Sequence, residues 1–195
     1  MTHDIIQPRD YQHRDIEALW EPSKVMNIIY GTGLGKTFVA LALASLWHKR
    51  GRFKHVILVT TTTALQQQFQ EYARRRYRFR GEIHEILPIE IGTASTLKAY
   101  LQVACSSRAM VVTYQVMIAV EAEIHRLIAL GTIRPDDILI VLDEGHRVFN
   151  PLIESADEED VSAEIRQKSS RAAYGFRRAG ISQLRLTATP FRTDN

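Results

Sequence analysis

A short glycine-rich segment holds the residues with the clearest chemistry. Its sequence is Tyr30-Gly31-Thr32-Gly33-Leu34-Gly35-Lys36-Thr37. Glycines let backbone N–H groups approach phosphate oxygens without obstruction by side chains. A lysine after such a loop can reach the β- and γ-phosphates of a nucleotide, and a threonine hydroxyl can bind Mg²⁺. We therefore predict that this segment binds a nucleotide and that Thr37 is also a metal ligand. The predicted nucleotide-binding residues are Gly31, Thr32, Gly33, Gly35, Lys36 and Thr37.

The flanking sequence supports this interpretation. The apolar run from Val25 to Ile29 precedes the segment, and apolar residues at helical spacing follow it. This is the strand–loop–helix order that a phosphate-binding loop requires. The strict pattern has glycine where Tyr30 stands, so the match is to a relaxed form. The alternative is a flexible turn in which Lys36 is a surface lysine.

An acidic pair forms the second candidate group. The apolar run from Ile138 to Leu142 ends in Asp143-Glu144. A phosphate loop needs a carboxylate at the end of a neighbouring strand to hold the metal, which predicts Asp143 as a metal ligand. Glu144 is placed to orient or deprotonate an attacking water. Lys36, Asp143 and Glu144 are the predicted catalytic residues, and the predicted chemistry is phosphoryl transfer. Such a pair at a strand end also occurs on surfaces with no catalytic role.

Short apolar runs alternate with segments of helical periodicity. The runs are Val25 to Ile29, His55 to Thr60, Met110 to Thr113, Ile138 to Leu142 and Leu184 to Leu186. The helical segments are Lys36 to Arg50, Ala64 to Tyr77, Met117 to Leu130 and Ser162 to Ala179. Runs that are almost wholly apolar indicate strands buried on both faces. The alternation predicts an α/β fold, a mostly parallel central sheet with helices on both faces and ligands at the carboxyl ends of the strands.

Composition sets broader limits. With 195 residues and 45% hydrophobic content, the chain can bury a full core, and we expect one domain over residues 1–195. The net charge of +3 permits contact with a polyanion, but charge alone does not indicate whether the protein binds nucleic acid. The single cysteine, Cys105, excludes an internal disulfide, and the first residues lack a secretory signal. No apolar run approaches the roughly 18 residues that would indicate a membrane-spanning helix. We expect a soluble, cytoplasmic protein with no membrane partner.

Taken together, these segments resemble the N-terminal ATP-binding domain of superfamily 2 helicases and translocases. Asp143-Glu144-Gly145-His146 is similar to the DEAH-type box of that family, and Thr187-Ala188-Thr189 is similar to its motif III. The resemblance extends from Arg9 to about Thr193, and it implies a RecA-like P-loop NTPase fold with ATP and Mg²⁺ as cofactors. It also implies that His146, Thr187 and Thr189 couple nucleotide state to the nucleic-acid face. A purely structural role for His146 stays open.

A further resemblance concerns the adenine base. Arg9-Asp10-Tyr11-Gln12 is similar to the adenine-reading element of the family. It implies that Gln12 pairs with the adenine edge and selects ATP over GTP, and that Arg9 belongs to the ATP-binding group. The alternative is that Gln12 is a surface glutamine on a first helix.

Threonines near two strand ends resemble nucleic-acid contacts of the family. The segment from Leu58 to Gln68 is similar to motif Ia, in which hydroxyls and helix N–H groups bind a backbone phosphate. This predicts contacts at Thr61, Thr62 and Thr63, or else a helix-capping cluster with no ligand. Thr113-Tyr114-Gln115 resembles a later motif near the nucleic-acid groove, which predicts a contact at Thr113 or simple strand-end packing.

Three charged segments have plainer interpretations. Arg74 to Arg80 interleaves arginine with aromatic residues, which can indicate nucleic-acid binding. We interpret it instead as the C-terminal end of the helix from Ala64 to Tyr77, where cations offset the helix dipole. We interpret Gly175 to Gly180 as the solvated end of another helix, and the acidic segment from Glu154 to Asp160 as a solvated connection.

The resemblance implies a nucleic-acid-dependent ATPase motor. Leu186 to Arg192 and Thr113-Tyr114-Gln115 are similar to restriction-enzyme motor subunits and DNA-repair helicases. We therefore expect DNA rather than RNA as the partner, together with a nuclease or specificity subunit. Such motors hydrolyse ATP between two RecA-like domains, so we expect the second domain to be absent from this chain and the isolated activity to be weak. The alternatives are a non-catalytic, nucleotide-gated docking module and a P-loop enzyme such as a kinase.

Overall fold

A parallel sheet of six strands forms the centre of the protein. This computed structural model describes residues 5–144 and 163–188. The strands of the chain are β1 (Val25–Ile29), β2 (His55–Thr60), β3 (Arg76–Phe79), β4 (Glu82–Glu85), β5 (Ile89–Ile91), β6 (Ala109–Thr113), β7 (Ile138–Leu142) and β8 (Ser182–Thr187). The central sheet has the order β1-β8-β7-β2-β6-β5 with every pair parallel. The predicted parallel sheet is confirmed, and each of the predicted runs is a strand of it.

Helices cover both faces of this sheet, as predicted. They are α1 (Asp10–Ala18), α2 (Lys36–Lys49), α3 (Thr63–Glu71), α4 (Ala94–Gln102), α5 (Tyr114–Ala129) and α6 (Ala163–Arg178). A short 3-10 turn at Pro135–Asp137 leads into β7. Residues of α1, α2 and α3 pack on one face of the sheet, and residues of α4, α5 and α6 pack on the other. None of the helices in the described ranges combines the length and the apolar character that a membrane span needs.

Strand β7 shows why its sequence is apolar throughout. Leu139 and Val141 enter the core on the α2 face, whereas Ile138, Ile140 and Leu142 enter the core on the α5 face. All five side chains are at most 2% exposed. Because successive side chains of a strand point to opposite faces, a strand covered on both sides needs apolar residues at every position. The acidic pair therefore begins directly after the last apolar residue of the strand.

A hairpin replaces part of a predicted helix. The helix predicted from Ala64 to Tyr77 ends at Glu71, and β3 then pairs antiparallel with β4. The interpretation of Arg74 to Arg80 as a helix end is therefore wrong. Tyr77 and Phe79 are at most 1% exposed, whereas the arginines between and beside them are exposed. This alternation has the period of a strand, not of a helix.

The turn of this hairpin follows from two residues. Arg80 and Gly81 have φ values of 49° and 79°, and they form the two-residue loop between Phe79 and Glu82. Two consecutive positive φ values are the geometry of a type I′ turn, whose twist matches that of the flanking strands. The Arg80 side chain pairs with Glu17 at 2.7 Å and lies over the ring of Trp20. The arginine at the turn thus ties the hairpin to α1 and the loop that follows it.

Three further segments bear on the sequence predictions. Strand β5 and helix α4 were not among the predicted elements, and β5 extends the sheet beyond β6. The arginines Arg177 and Arg178 end α6 and are exposed, and Gly180 follows with φ of 90°. The predicted solvated helix end is confirmed. The acidic segment from Glu154 to Asp160 lies outside the described residues.

The hairpin geometry predicts unequal effects of two substitutions. Phe79→Ala removes a buried ring that stacks on Trp20 at 5.8 Å between centroids, so it should lower the free energy of unfolding by about 3–5 kcal/mol. Arg78→Ala, on the exposed face of the same strand, should change it by less than about 0.5 kcal/mol. Chemical denaturation measures both values. Similar losses for the two variants would contradict the alternation of β3.

Candidate nucleotide-binding site

The glycine-rich loop connects β1 with α2, as predicted. Gly35 is the residue that precedes α2, and its φ of 85° is a left-handed conformation that glycine adopts without strain. Lys36 and Thr37 begin the helix, where backbone N–H groups have no partner within the helix. Residues 31–34 are exposed. The loop therefore presents backbone donors and the positive end of a helix dipole at one place, which is the arrangement that binds phosphate.

The acidic pair lies at the same edge of the sheet but not on the adjacent strand. Ile29 pairs with Thr187 on β8, and Arg185 on β8 pairs with Leu142. The expectation of neighbouring strands is wrong, because β8 separates β1 from β7. The order of strands along the sequence does not predict their order in the sheet. Strand β8 is the last of the described strands in the chain, yet it lies between β1 and β7.

The lysine of the loop nevertheless reaches the acidic pair. Lys36 Nζ lies 3.9 Å from Glu144 Oε1, with the two side chains 12% and 25% exposed. This contact links the loop to the acidic pair although β8 lies between their strands. The structure thus brings together two of the three residues predicted to be catalytic, in a partly buried site where charges interact more strongly than in water.

The backbone of the acidic pair is fixed from two sides. Asp143, which is 7% exposed, donates its N–H to the Val59 carbonyl oxygen at 2.9 Å. Its own carbonyl oxygen accepts a hydrogen bond from the Tyr114 hydroxyl at 2.8 Å. Burial raises the pKa of Tyr114 well above its ordinary value, and the nearby carboxylates of Asp143 and Glu144 raise it further. The hydroxyl therefore stays protonated and keeps donating at neutral pH.

Glu144 has a strained backbone. Its φ is 52°, in the left-handed region, which costs a residue other than glycine about 1–2 kcal/mol. Such conformations persist where the surrounding structure enforces them, and they cluster at functional sites. No sequence signal reports this strain, because glutamate has no preference for the left-handed region.

Helix α1 packs directly against the loop. The Gln12 amide donates from Nε2 to the Leu34 carbonyl oxygen at 3.0 Å, and its Oε1 accepts the Arg9 backbone N–H at 3.0 Å. A Cβ atom on Gly35 would lie 2.4 Å from Gln12 Nε2, so a larger residue there would displace the Gln12 amide. Gln12 is 7% exposed and is not a surface glutamine. Its contact with adenine stays a prediction, as does the role of Arg9, which is exposed and donates from Nη1 to the Tyr11 hydroxyl.

Tyr30 stands where the strict loop pattern has glycine, and it has a structural role. Its ring lies edge-on to that of Tyr11, 5.3 Å between centroids, and its hydroxyl donates to Asp15 on α1. Burial and Asp15 raise the pKa of Tyr30. Tyr11 in turn donates its hydroxyl to the Leu34 carbonyl oxygen at 2.9 Å. These residues fix α1 beside the loop, and sequence reasoning assigned them no such part.

Thr187 lies between the loop strand and the acidic strand. It is fully buried at the end of β8, and its carbonyl oxygen accepts the Tyr30 N–H at 3.1 Å. This position adjoins both halves of the site, although its coupling role stays a prediction. His146 and Thr189, the other predicted coupling residues, lie outside the described residues.

The predicted nucleic-acid contacts lie at two helix starts on the same edge. Thr62 caps α3 by accepting the Leu65 N–H at 3.3 Å, and Thr113 caps α5 by accepting the Val116 N–H at 3.4 Å. Thr62 therefore caps a helix, but this does not decide between a nucleic-acid contact and a capping cluster with no ligand. Thr61 and Thr63 are exposed on either side of it. Capping leaves other helix N–H groups without intrahelical partners, so a phosphate contact there stays a prediction.

The residues at this edge fit a magnesium nucleotide. Thr37 and Asp143 would contribute a hydroxyl and a carboxylate, which are the hard oxygen ligands that Mg²⁺ prefers. In phosphate-transfer sites this ion is usually held by one or two protein carboxylates together with phosphate oxygens and water. The exposed loop and the start of α2 leave the phosphate side open to ligand.

The sequence of the chain also matches a family model. The model describes the res subunit of type III restriction enzymes, and it covers residues 5–192. The chain belongs to this family. It is therefore a superfamily 2 helicase-like ATPase domain, which confirms the resemblance drawn from its motifs. A comparison with curated proteins finds no match.

Solved structures share the fold. The SWI2/SNF2 ATPase core of Sulfolobus solfataricus, in complex with dsDNA, is 16% identical with a TM-score of 0.58, over 98% of this chain and 34% of that one. The Hef helicase domain of Pyrococcus furiosus is 24% identical with a TM-score of 0.58, over 96% of this chain and 34% of that one. These likenesses confirm the RecA-like α/β fold. The chain spans about a third of the length of either structure.

The strain at Glu144 predicts a stabilising substitution within the site. Glu144→Gly should raise the free energy of unfolding by about 1 kcal/mol, because glycine adopts a φ of 52° without strain. For a chain of this size, the melting temperature should rise by about 2–4 °C. Differential scanning calorimetry measures the shift.

Two comparisons make this measurement specific. Arg74→Gly, at another positive φ of 63° far along the chain from the site, should give a similar gain. Glu85→Gly, on the regular strand β4, should lower the melting temperature because glycine weakens a strand. A loss of stability in Glu144→Gly equal to that in Glu85→Gly would contradict the predicted gain from relieved strain.

Proposed function

We propose that this chain is the ATP-binding half of a nucleic-acid-dependent motor that couples ATP hydrolysis to movement on DNA. The contact between Lys36 and Glu144, at 3.9 Å, carries the proposal. A lysine that binds phosphate beside a carboxylate that can orient water gives the site what phosphoryl transfer to water requires. Nucleotide binding alone does not need Glu144.

The mechanism assigns a separate task to each residue. The loop N–H groups and Lys36 hold the β- and γ-phosphates of ATP. Mg²⁺, when bound by Thr37 and Asp143, neutralises phosphate charge. The phosphates then compete with Glu144 for Lys36. Released from this pairing, Glu144 orients the attacking water and accepts its proton.

A nucleic-acid strand would lie along the edge of the sheet beyond the acidic pair. Thr60 of β2 pairs with Thr113 of β6, so the starts of α3 and α5 are neighbours there. We infer that Thr61, Thr62, Thr63 and Thr113, with the N–H groups of these helices, bind backbone phosphates. The similar Sulfolobus solfataricus structure contains dsDNA, which supports DNA as the partner.

The longer protein would complete this motor. We propose that a second RecA-like domain supplies an arginine to the γ-phosphate, a contribution worth about 10³–10⁵ in rate elsewhere. The likenesses cover only 34% of the similar chains, which leaves room for such a domain. The res-subunit family model supports a restriction system with a nuclease or specificity subunit, and a repair system is the other setting. We propose a cytoplasmic location for the protein in either a restriction or a repair system.

The loop lysine provides the first test. Lys36→Ala should weaken ATP binding by about 100-fold, the size that a charged hydrogen-bonding group contributes. Isothermal titration calorimetry with Mg²⁺ and ATP measures this change, and circular dichroism should show an unchanged fold. Lys49→Ala is the matched control, because Lys49 is an exposed lysine at the other end of the same helix. Equal affinities for the two variants would refute the phosphate site.

The carboxylate distinguishes a motor from a nucleotide-gated docking module. Glu144→Gln should keep ATP on the protein and increase its retention on DNA, because the nucleotide binds but is not hydrolysed. The unaltered chain should hydrolyse ATP slowly with little stimulation by DNA. Fluorescence anisotropy of labelled DNA with ATP measures retention, and Glu85→Gln on the exposed hairpin is the control. No difference between the two variants would favour the docking module.

A further inference from the structure

The Tyr114 side chain joins helix α5 to the acidic pair. Tyr114 is the first residue of α5 and is 7% exposed. Its hydroxyl donates to the carbonyl oxygen of Asp143 at 2.8 Å. This carbonyl belongs to the peptide group that leads from Asp143 to Glu144. The hydroxyl therefore fixes the orientation of that peptide plane.

Rotation of this same peptide group could relieve the backbone strain at Glu144. A rotation of the plane by about half a turn changes ψ of Asp143 and φ of Glu144 together, and it can remove a positive φ. The Glu144 φ of 52° shows that the rotation has not occurred. Such a rotation would also point the Asp143 carbonyl oxygen away from Tyr114. The hydrogen bond thus opposes the relaxation that the backbone would otherwise favour.

The other backbone hydrogen bond of Asp143 does not oppose this rotation. The Asp143 N–H bonds to Val59 at 2.9 Å, but that group belongs to the preceding peptide plane. Rotation of the following plane leaves it intact. The plane that leads to Glu144 is instead restrained by the hydrogen bond from the Tyr114 hydroxyl.

We propose that Tyr114 is a positioning residue that holds the Asp143–Glu144 peptide so that both carboxylates face the magnesium nucleotide. This inference rests on the proposed function. The buried hydroxyl acts through the Asp143 carbonyl oxygen, and it thereby keeps Glu144 beside Lys36 and orients Asp143. Partners of metal ligands typically contribute 10- to 100-fold to metal affinity.

A second buried tyrosine provides a matched control. The Tyr100 hydroxyl accepts the Val56 N–H at 2.8 Å and lies 3.0 Å from the carbonyl oxygens of Val56 and Arg108. Tyr100 is 6% exposed and bonds at the start of β2, the opposite end of the strand from the site. Tyr100→Phe and Tyr114→Phe each remove one buried oxygen that bonds to backbone.

The test measures the Mg²⁺ dependence of nucleotide binding. A fluorescent ATP analogue is titrated onto the chain at increasing Mg²⁺, and separately in EDTA. Tyr114→Phe should raise the Mg²⁺ concentration for half-maximal binding by about tenfold, with metal-free affinity unchanged within about twofold. Tyr100→Phe should change neither quantity. A general loss of structure would instead weaken binding in both conditions.

Each remaining outcome decides the proposal. An unchanged Mg²⁺ requirement in Tyr114→Phe, or an equal shift in Tyr100→Phe, overturns the positioning role while leaving the proposed function intact. Failure of the unaltered chain to bind the analogue, or binding that Lys36→Ala does not weaken, overturns both. If Tyr114→Phe does not fold, as judged by circular dichroism against Tyr100→Phe, the role of the hydroxyl is structural and the proposal fails.

Discussion

The contact between Lys36 and Glu144 is the interaction on which the rest of the site depends. It joins the start of α2 to the end of β7 across the intervening strand β8, over 3.9 Å between charged atoms. Parallel strands end at one edge of a sheet, so the fold can place the lysine that we propose binds phosphate beside the carboxylate that we propose orients water. In the proposed mechanism, the γ-phosphate of ATP displaces Glu144 from Lys36, so that the lysine binds phosphate and the carboxylate is released to orient water.

Tyrosines hold the backbone around this contact. Tyr11 bonds the loop carbonyl of Leu34, Tyr30 bonds Asp15 on the helix beside the loop, and Tyr114 bonds the carbonyl of Asp143. Their rings occupy the core or its edge, while their hydroxyls satisfy polar groups. The reactive side chains are few, and their positions follow from backbone that these aromatic residues support. The strained φ of Glu144 is compatible with this arrangement, because neighbouring contacts restrain the peptide.

The sequence predicted the parallel sheet and its motifs because local patterns encode both. Apolar runs identified the strands, and the glycine spacing identified the loop. Strand order was not encoded locally, so the position of β8 between β1 and β7 was missed. The alternation from Arg76 to Phe79 did carry a strand signal, but the preceding helical pattern was extended over it. The φ of Glu144 and the Tyr114 hydrogen bond arise from tertiary packing, which no local pattern reports.

Anomalous diffraction from crystals grown with Mn²⁺ and a non-hydrolysable ATP analogue tests the central claim most directly. We predict one Mn²⁺ peak within about 2.2 Å of both the Thr37 hydroxyl and a phosphate oxygen, on the Asp143 side of the loop. Lys36 Nζ should lie within hydrogen-bond distance of the γ-phosphate, with Glu144 facing the same phosphate. A nucleotide bound elsewhere, or a metal peak away from Thr37 and Asp143, would contradict the account.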